Sequence, residues 1–315
     1  MIKVKQPPSK IRELCAINKK SGKVELVRGL CCMRKAIRES EGKLLFKRNK
    51  YFVFISNPHV VSAEWLNPVL WLHCYKDENI IKNNAPKELM SESDFVDPLF
   101  FPFYNNTKNK KKIDYIYFCL NNKTTGITYK GFDVFLKLLP YLNSCGMKGK
   151  LIFYAPLKGK IDIPYDRKRY KKHLFNSNLE IIYKGYNQSQ LSREMSLAKV
   201  CLFPNIKDCS PRLIPESLLS NTPVVVNRNI DGGWKYCKPN NEFGLCFENP
   251  ENICEIINKA SEIKETRNKW INKYGFEKSS RKLATMLHKV DALDEKYSHI
   301  YFSCFSKVME KINEK

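Results

Sequence analysis

The chain has no run of about 18 apolar residues, the length a helix needs to cross a bilayer. Its first residues, MIKVKQPPSKIREL, lack the apolar segment of a secretion signal. Spanning and secreted classes are thereby set aside, and the chain is expected in the cytoplasm, with at most a peripheral place at a membrane surface. Twelve cysteines are present, yet no CxxC pair and no metal-ligand spacing accompanies them. Scattered through apparent strands and helices, as Cys119, Cys201, Cys246 and Cys254 are, they read as reduced core residues, and so does the adjacent pair Cys31-Cys32. No zinc finger, RNP-type strand or GXXG loop is found, so no specific nucleic-acid partner is expected. Acidic residues are scarce: 32 Asp and Glu stand against 55 Lys and Arg, for a net charge of +23. Residues 1–50 alone carry fifteen basic and four acidic side chains, a balance of +11, and KNKKK (108–112) and DRKRYKK (166–172) add further clusters. Such a surface favours anionic partners through a non-specific field. Most of these charges read as solvated faces; the N-terminal cluster is the one placed to touch an anionic membrane, where a basic residue gains about 1 kcal/mol.

What is present suits a two-domain α/β protein. A length of 315 residues, with 43% hydrophobic and 12% aromatic side chains, supplies cores for about two domains. DYIYFCL (114–120) is a β-branched and aromatic run that predicts a buried strand, and FDVFLKLLPYL (132–142) has apolar residues at helical spacing. KLIFYAP (150–156) and NLEIIYKGY (178–186) predict two more strands, with a basic helix-like stretch to His173 between them. SQLSREMSLAKVCLFPN (189–205) reads as a helix and a fourth strand. Strands alternating with helices at these intervals predict a parallel, doubly wound sheet, whose ligands bind at the carboxyl ends of its strands. Lys130, Gly185 and Asp208 all fall in segments leaving that edge.

The segment DCSPRLIPE (208–216), followed by SLLSNTPVVV and by Gly232-Gly233, is the most informative stretch. It predicts a loop entering a short apolar helix, with an acid at each end. An interior helical proline loses a hydrogen bond and clashes with the carbonyl four residues back, so Pro215 belongs in the first turn and the helix is expected to start near Pro211. Backbone N–H groups at such an entrance meet a diphosphate, and a carboxylate there accepts from both hydroxyls of a ribose. The pattern resembles the second domain of the retaining GT-B glycosyltransferases of family 4: an acidic residue, seven others and a Glu, then an apolar helix and a Pro-Val-Val strand.

That resemblance implies two Rossmann-like domains with parallel sheets facing a central cleft, the first domain short. It implies a nucleoside diphosphate sugar as donor and a glycan, lipid or protein-linked acceptor, with no metal and no cofactor. Asp208 stands where a Glu is usual and would lie against the donor sugar, while Glu216 would hold the ribose. Ser210, Pro211, Arg212 and Leu213 fall in the donor loop between them. Lys130-Gly131 matches the Lys-Gly that opens the family's first donor-domain helix, its lysine reaching the diphosphate. The family's Gly-Arg is replaced here by Asn121-Asn122-Lys123, leaving Lys123 as the substitute cation. Gly232-Gly233 resembles the glycine turn beside the donor. His73, after the apolar run VLWLHC, occupies the place of a histidine facing the sugar from the first domain, with His59 as an alternative.

The domain reading is 1–107 for a short acceptor-side domain and 108–290 for the donor domain. FVDPLFFPFYNN (95–106) is the linker, and 291–315 is a C-terminal helix packing back on the first domain. From Glu251 onward the pattern is helical, with Ile253, Ile256, Ile257, Ala260 and Ile263 on one face. Family members carry a longer first domain with a glycine-rich loop near its start, which this chain lacks. A different class stays open beside the enzyme: a basic binding protein on the same scaffold that holds glycans, anionic membrane or nucleic acid without turnover.

Overall fold

The computed structural model describes residues 11–33, 50–54, 68–102, 104, 113–120, 130–154, 174, 178–237 and 240–302. The chain divides into two compact units, Met1–Asp97 with Tyr274–Lys315, and Pro98–Lys273. Among the described residues no helix is long and apolar enough to cross a membrane.

The second unit holds a six-stranded sheet in the order β11-β10-β9-β6-β7-β8, every neighbouring pair parallel. Its strands are β6 (Ile113–Leu120), β7 (Gly149–Tyr154), β8 (Leu179–Tyr183), β9 (Ala198–Phe203), β10 (Val224–Asn227) and β11 (Gly244–Phe247). Central strands covered on both faces read as unbroken apolar runs, and VVVN of β10 is buried at all four positions. Helix α1 (Phe132–Ser144) buries Phe132, Phe135, Leu138, Leu139 and Leu142, the 3.6-residue stripe seen in the sequence. Against it lie Tyr117 and Phe153, the rings of Tyr117 and Phe135 being 4.8 Å apart. Helix α2 (Gln188–Ser196) opens on a capping box, in which Asn187 Oδ1 accepts from the Gln190 backbone N–H and Gln190 Oε1 accepts from that of Asn187. Helices α3 (Leu213–Leu219), α4 (Ile253–Ser261) and α5 (Thr266–Lys273) complete this unit.

The first unit is wired differently. Its sheet runs β12-β1-β2-β3-β4-β5, from β1 (Ile11–Asn18), β2 (Val24–Met33), β3 (Lys50–Phe54), β4 (Leu70–His73), β5 (Lys87–Leu89) and β12 (Tyr297–Phe302). The pairs from β2 to β5 are parallel, whereas β1 is antiparallel to both β2 and β12. The sheet is therefore mixed, not wholly parallel. Leu14, Ala16, Leu30, Phe52 and Leu72 form its core with Phe276, Leu283, Ala284 and Leu287 of helix α6 (Gly275–Lys289).

Two boundaries differ from the sequence reading. The chain returns to the first unit at Tyr274 rather than at 291, because the apolar stripe of α6 is buried on that sheet. Residues 297–302, expected to start a terminal helix, form β12, paired with β1 from Leu14↔Phe302 to Asn18↔Tyr297. Tyr297, Ile300, Tyr301 and Phe302 are strand-favouring residues, and β1 supplies the partner they pair with. The passage into the second unit comes at Pro98 rather than near 108. Arg267 of α5 accounts for this by donating to the carbonyls of Pro98 and Phe101, at 3.2 and 2.7 Å, which ties the start of the linker to this unit.

Candidate functional site

In the second unit β6, the first of that unit's strands along the chain, lies between β7 and β9, so the strand order reverses between β6 and β9. At such a switch point the segments leaving two neighbouring strands turn away from each other and open a crevice at their carboxyl ends. Lys130 and Gly131 follow β6, and 204–216 follow β9.

Gly131 makes the approach of the two segments possible. It caps α1 in the left-handed conformation, φ 75°, and a Cβ there would lie 2.1 Å from the Pro204 carbonyl oxygen. The backbone leaving β9 therefore rests directly on the start of α1. Tyr117 of β6 donates its hydroxyl to the Lys130 carbonyl at 2.8 Å, and Asn227 of β10 donates its amide to the Pro204 carbonyl at 3.3 Å. Three strands thus fix one small patch of backbone.

From that patch Lys130 reaches Asp208, 78 residues along the chain, with Nζ 2.5 Å from Oδ2. The two side chains are 18% and 12% exposed, so the pair is largely withdrawn from water. Asn205, itself buried, donates Nδ2 to the same oxygen at 2.8 Å. Gly232 holds the other side of the loop: its N–H donates to the Asp208 carbonyl at 3.0 Å, and a Cβ on it would lie 1.9 Å from the Cys209 oxygen. The space left by its missing side chain is filled by the acidic loop itself.

Helix α3 begins at Leu213, two residues after Pro211, and Pro215 lies in its first turn as the geometry of proline requires. Seven residues make a marginal helix, and neighbouring side chains hold its far end. Thr266 Oγ1 donates to the Leu218 carbonyl at 3.1 Å, and Arg267 Nη1 to that of Leu219 at 2.5 Å. On this helix Glu216 is 6% exposed. Its nearest cation is Arg212, one turn back, with Nη2 3.7 Å from Oε1. Among the described residues no side chain or backbone N–H donates a hydrogen bond to the Glu216 carboxylate. Burial pushes that carboxyl up to about 7, while Arg212 and Lys130 pull it down.

Lys130, Gly131, Asp208, Ser210, Pro211, Arg212, Leu213 and Glu216 therefore belong to one edge of one sheet. Gly185 is on the same edge, after β8, the outermost strand and three places from β9. At about 4.8 Å per strand it stands apart from the Lys130–Asp208 pair. Lys123 and His59 lie outside the described residues. His73 belongs to the first unit, at the end of β4, where it is buried, lies parallel to Tyr75 at 6.4 Å and has Nε2 3.8 Å from Glu78 Oε2. Asn205 and Asn227 are not among the sequence candidates, though Asn205, directly after a buried strand and Pro204, carries a visible signal. Among the described residues no group of three or more His, Cys, Asp or Glu is arranged to hold a metal ion.

Two cations and two carboxylates thus meet at a switch point, an arrangement that can take anionic oxygens and hydroxyls together. No protein-family model and no curated protein sequence matches the chain. Solved structures do. The chain is 14% identical to a sucrose-phosphate synthase from Thermosynechococcus elongatus, with a TM-score of 0.59 over 80% of this chain and 71% of that one. HepE from Anabaena, solved with UDP and glucose, gives 12% identity and a TM-score of 0.59 over 83% and 78%. The pneumococcal O-GlcNAc transferase GtfA, solved with UDP and GlcNAc, gives 9% and 0.54 over 79% and 55%. The protein has the α/β fold of the GT-B glycosyltransferases.

Proposed function

We propose that the protein is a glycosyltransferase of the family 4 type, which moves a sugar from a nucleoside diphosphate donor to a glycan, lipid or protein-linked acceptor. The observation that carries this reading is Glu216, a buried carboxylate at the switch point to which no described residue donates a hydrogen bond. A carboxylate withdrawn from water needs donors, and two vicinal ribose hydroxyls supply them on one face. The neighbours solved with UDP and a sugar support the same class of ligand.

In this reading Glu216 holds the ribose, while Lys130 and Arg212 face the diphosphate. Asp208 meets a hydroxyl of the transferred sugar. The diphosphate leaves with its charge met by these cations, and no metal is needed for that step. The sugar is transferred with retention. The first unit serves the acceptor, and His73 at the end of β4 is its candidate residue.

The test is a panel of UDP-, GDP- and dTDP-sugars scored by nucleotide release and by thermal shift. At least one donor should raise the melting temperature and be turned over slowly by water or faster with an acceptor. Glu216→Gln keeps the size and removes the charge, and charge-assisted bonds are worth about 1.5–3 kcal/mol. Nucleoside diphosphate affinity measured by titration should fall about tenfold or more. Unchanged affinity in a folded Glu216→Gln protein would remove the ribose assignment, and with it this reading of the site.

A further inference from the structure

Asp208 does not present its two carboxylate oxygens equally. Oδ2 takes Nζ of Lys130 at 2.5 Å and Nδ2 of Asn205 at 2.8 Å, and among the described residues Oδ1 takes no hydrogen bond. A lysine alone would leave the carboxylate free to rotate about its Cβ–Cγ bond, because an ammonium on a flexible stem is a point charge without direction. An amide N–H from a fixed side chain adds direction. Asn205 is 3% exposed, and its backbone nitrogen lies 2.7 Å from where a Cβ of Gly131 would sit, so the residue is wedged against the start of α1. Only the amide nitrogen of Asn205 can face the carboxylate, since its oxygen would meet a second acceptor.

We infer that Asn205 is a positioning residue for the transfer step: it fixes the plane of the Asp208 carboxylate so that Oδ1 meets the donor sugar while Oδ2 stays with Lys130. The inference rests on the proposed glycosyltransferase reading. It adds a residue whose effect falls on turnover rather than on nucleotide binding, because Asn205 bonds to Asp208 and not to Glu216. The arrangement also bears on the Asp at 208. A side chain one methylene shorter than Glu stays close to its own loop, within reach of an asparagine three residues back.

The experiment compares Asn205→Ala, Asp208→Asn and the double variant in the 315-residue chain, using whichever sugar donor of the panel is turned over. Asn205→Ala should lower kcat about tenfold while KM for the donor and Kd for the nucleoside diphosphate stay within about twofold. Added to Asp208→Asn it should cost less than about twofold more, since its partner's charge is already gone. If Asn205→Ala melts more than about 5 °C below the parent, the uncharged, near-isosteric Asn205→Leu is read in its place, with the same expectation. Equal losses of nucleotide affinity and turnover, or losses that multiply in the double variant, would overturn the positioning role. A parent protein that binds nucleotide and turns over sugar, beside a fully active Asn205→Ala, would overturn this inference alone. A parent that neither binds nor turns over any donor would overturn the proposed function and this inference with it.

Discussion

The second unit's sheet runs β11-β10-β9-β6-β7-β8, and the first unit's runs β12-β1-β2-β3-β4-β5. In the second unit the chain starts in the middle and grows outward on both sides, so the segments leaving β6 and β9 part at the carboxyl edge. In the first, β2 to β5 follow one another in sequence order, and β1 and β12 extend the sheet with antiparallel pairs. A reversal of order collects polar residues from distant parts of the chain, as Lys130 and Asp208 show; a sheet laid down in order does not do so by its wiring. In the first unit the candidate His73 has Tyr75 and Glu78 beside it, both nearby in sequence, and pairs with Leu89 of the adjacent strand.

The hardest way to break this contrast is at Gly131. A valine there would need a left-handed backbone for a β-branched residue and would drive Cβ to 2.1 Å from a backbone oxygen. Gly131→Val should cost about 3 kcal/mol or more and separate the two segments, seen as a lower melting temperature together with lost nucleotide binding.

Glu216 sharpens the contrast through pH. Its carboxyl is held up at about 7 by burial, so the folded protein binds this proton more tightly than the unfolded chain does. The stabilisation is therefore fully present below about pH 4.5, the ordinary value, and is lost as pH rises through about 7. The loss should be on the order of 3 kcal/mol across that window. It is read as the difference between the parent and Glu216→Gln in denaturant titrations at several pH values, and a pH-independent difference would contradict it. Ribose hydroxyls favour the ionised form, so nucleotide affinity should rise with pH over the same range.

A smaller effect compares two ion pairs of similar length. Lys130–Asp208 is mostly buried, whereas Arg228–Glu248, at 2.6 Å, has side chains 54% and 55% exposed. Lys130→Ala should weaken nucleoside diphosphate about tenfold and leave the bare nucleoside within about twofold, as titration of the two ligands will show. Arg228→Ala should change stability by less than about 1 kcal/mol and leave both affinities as they are.

Much of the second unit was legible because its signals are local. Runs such as DYIYFCL and the stripe from Phe132 to Leu142 report burial by their own periodicity, and Pro215 in DCSPRLIPE limits where a helix can begin. The first unit was less legible. Strand β1 overlaps a charged N-terminal stretch, and β12 ends a region read as helical although its Tyr297, Ile300, Tyr301 and Phe302 favour a strand; their pairing with each other assigns both.

The sequence by itself determined the alternation of strands and helices, the helix start after Lys130-Gly131 and the two acids that bracket the β9-to-α3 segment. Those follow from side-chain period and backbone limits within a few residues. The tertiary structure alone decided that Lys130 pairs with Asp208, that Asn205 shares the same oxygen, that Gly232 closes on the acidic loop and that Glu216 is buried. Each of these depends on which strands lie side by side, a choice made by packing a whole sheet rather than by any stretch of residues within it.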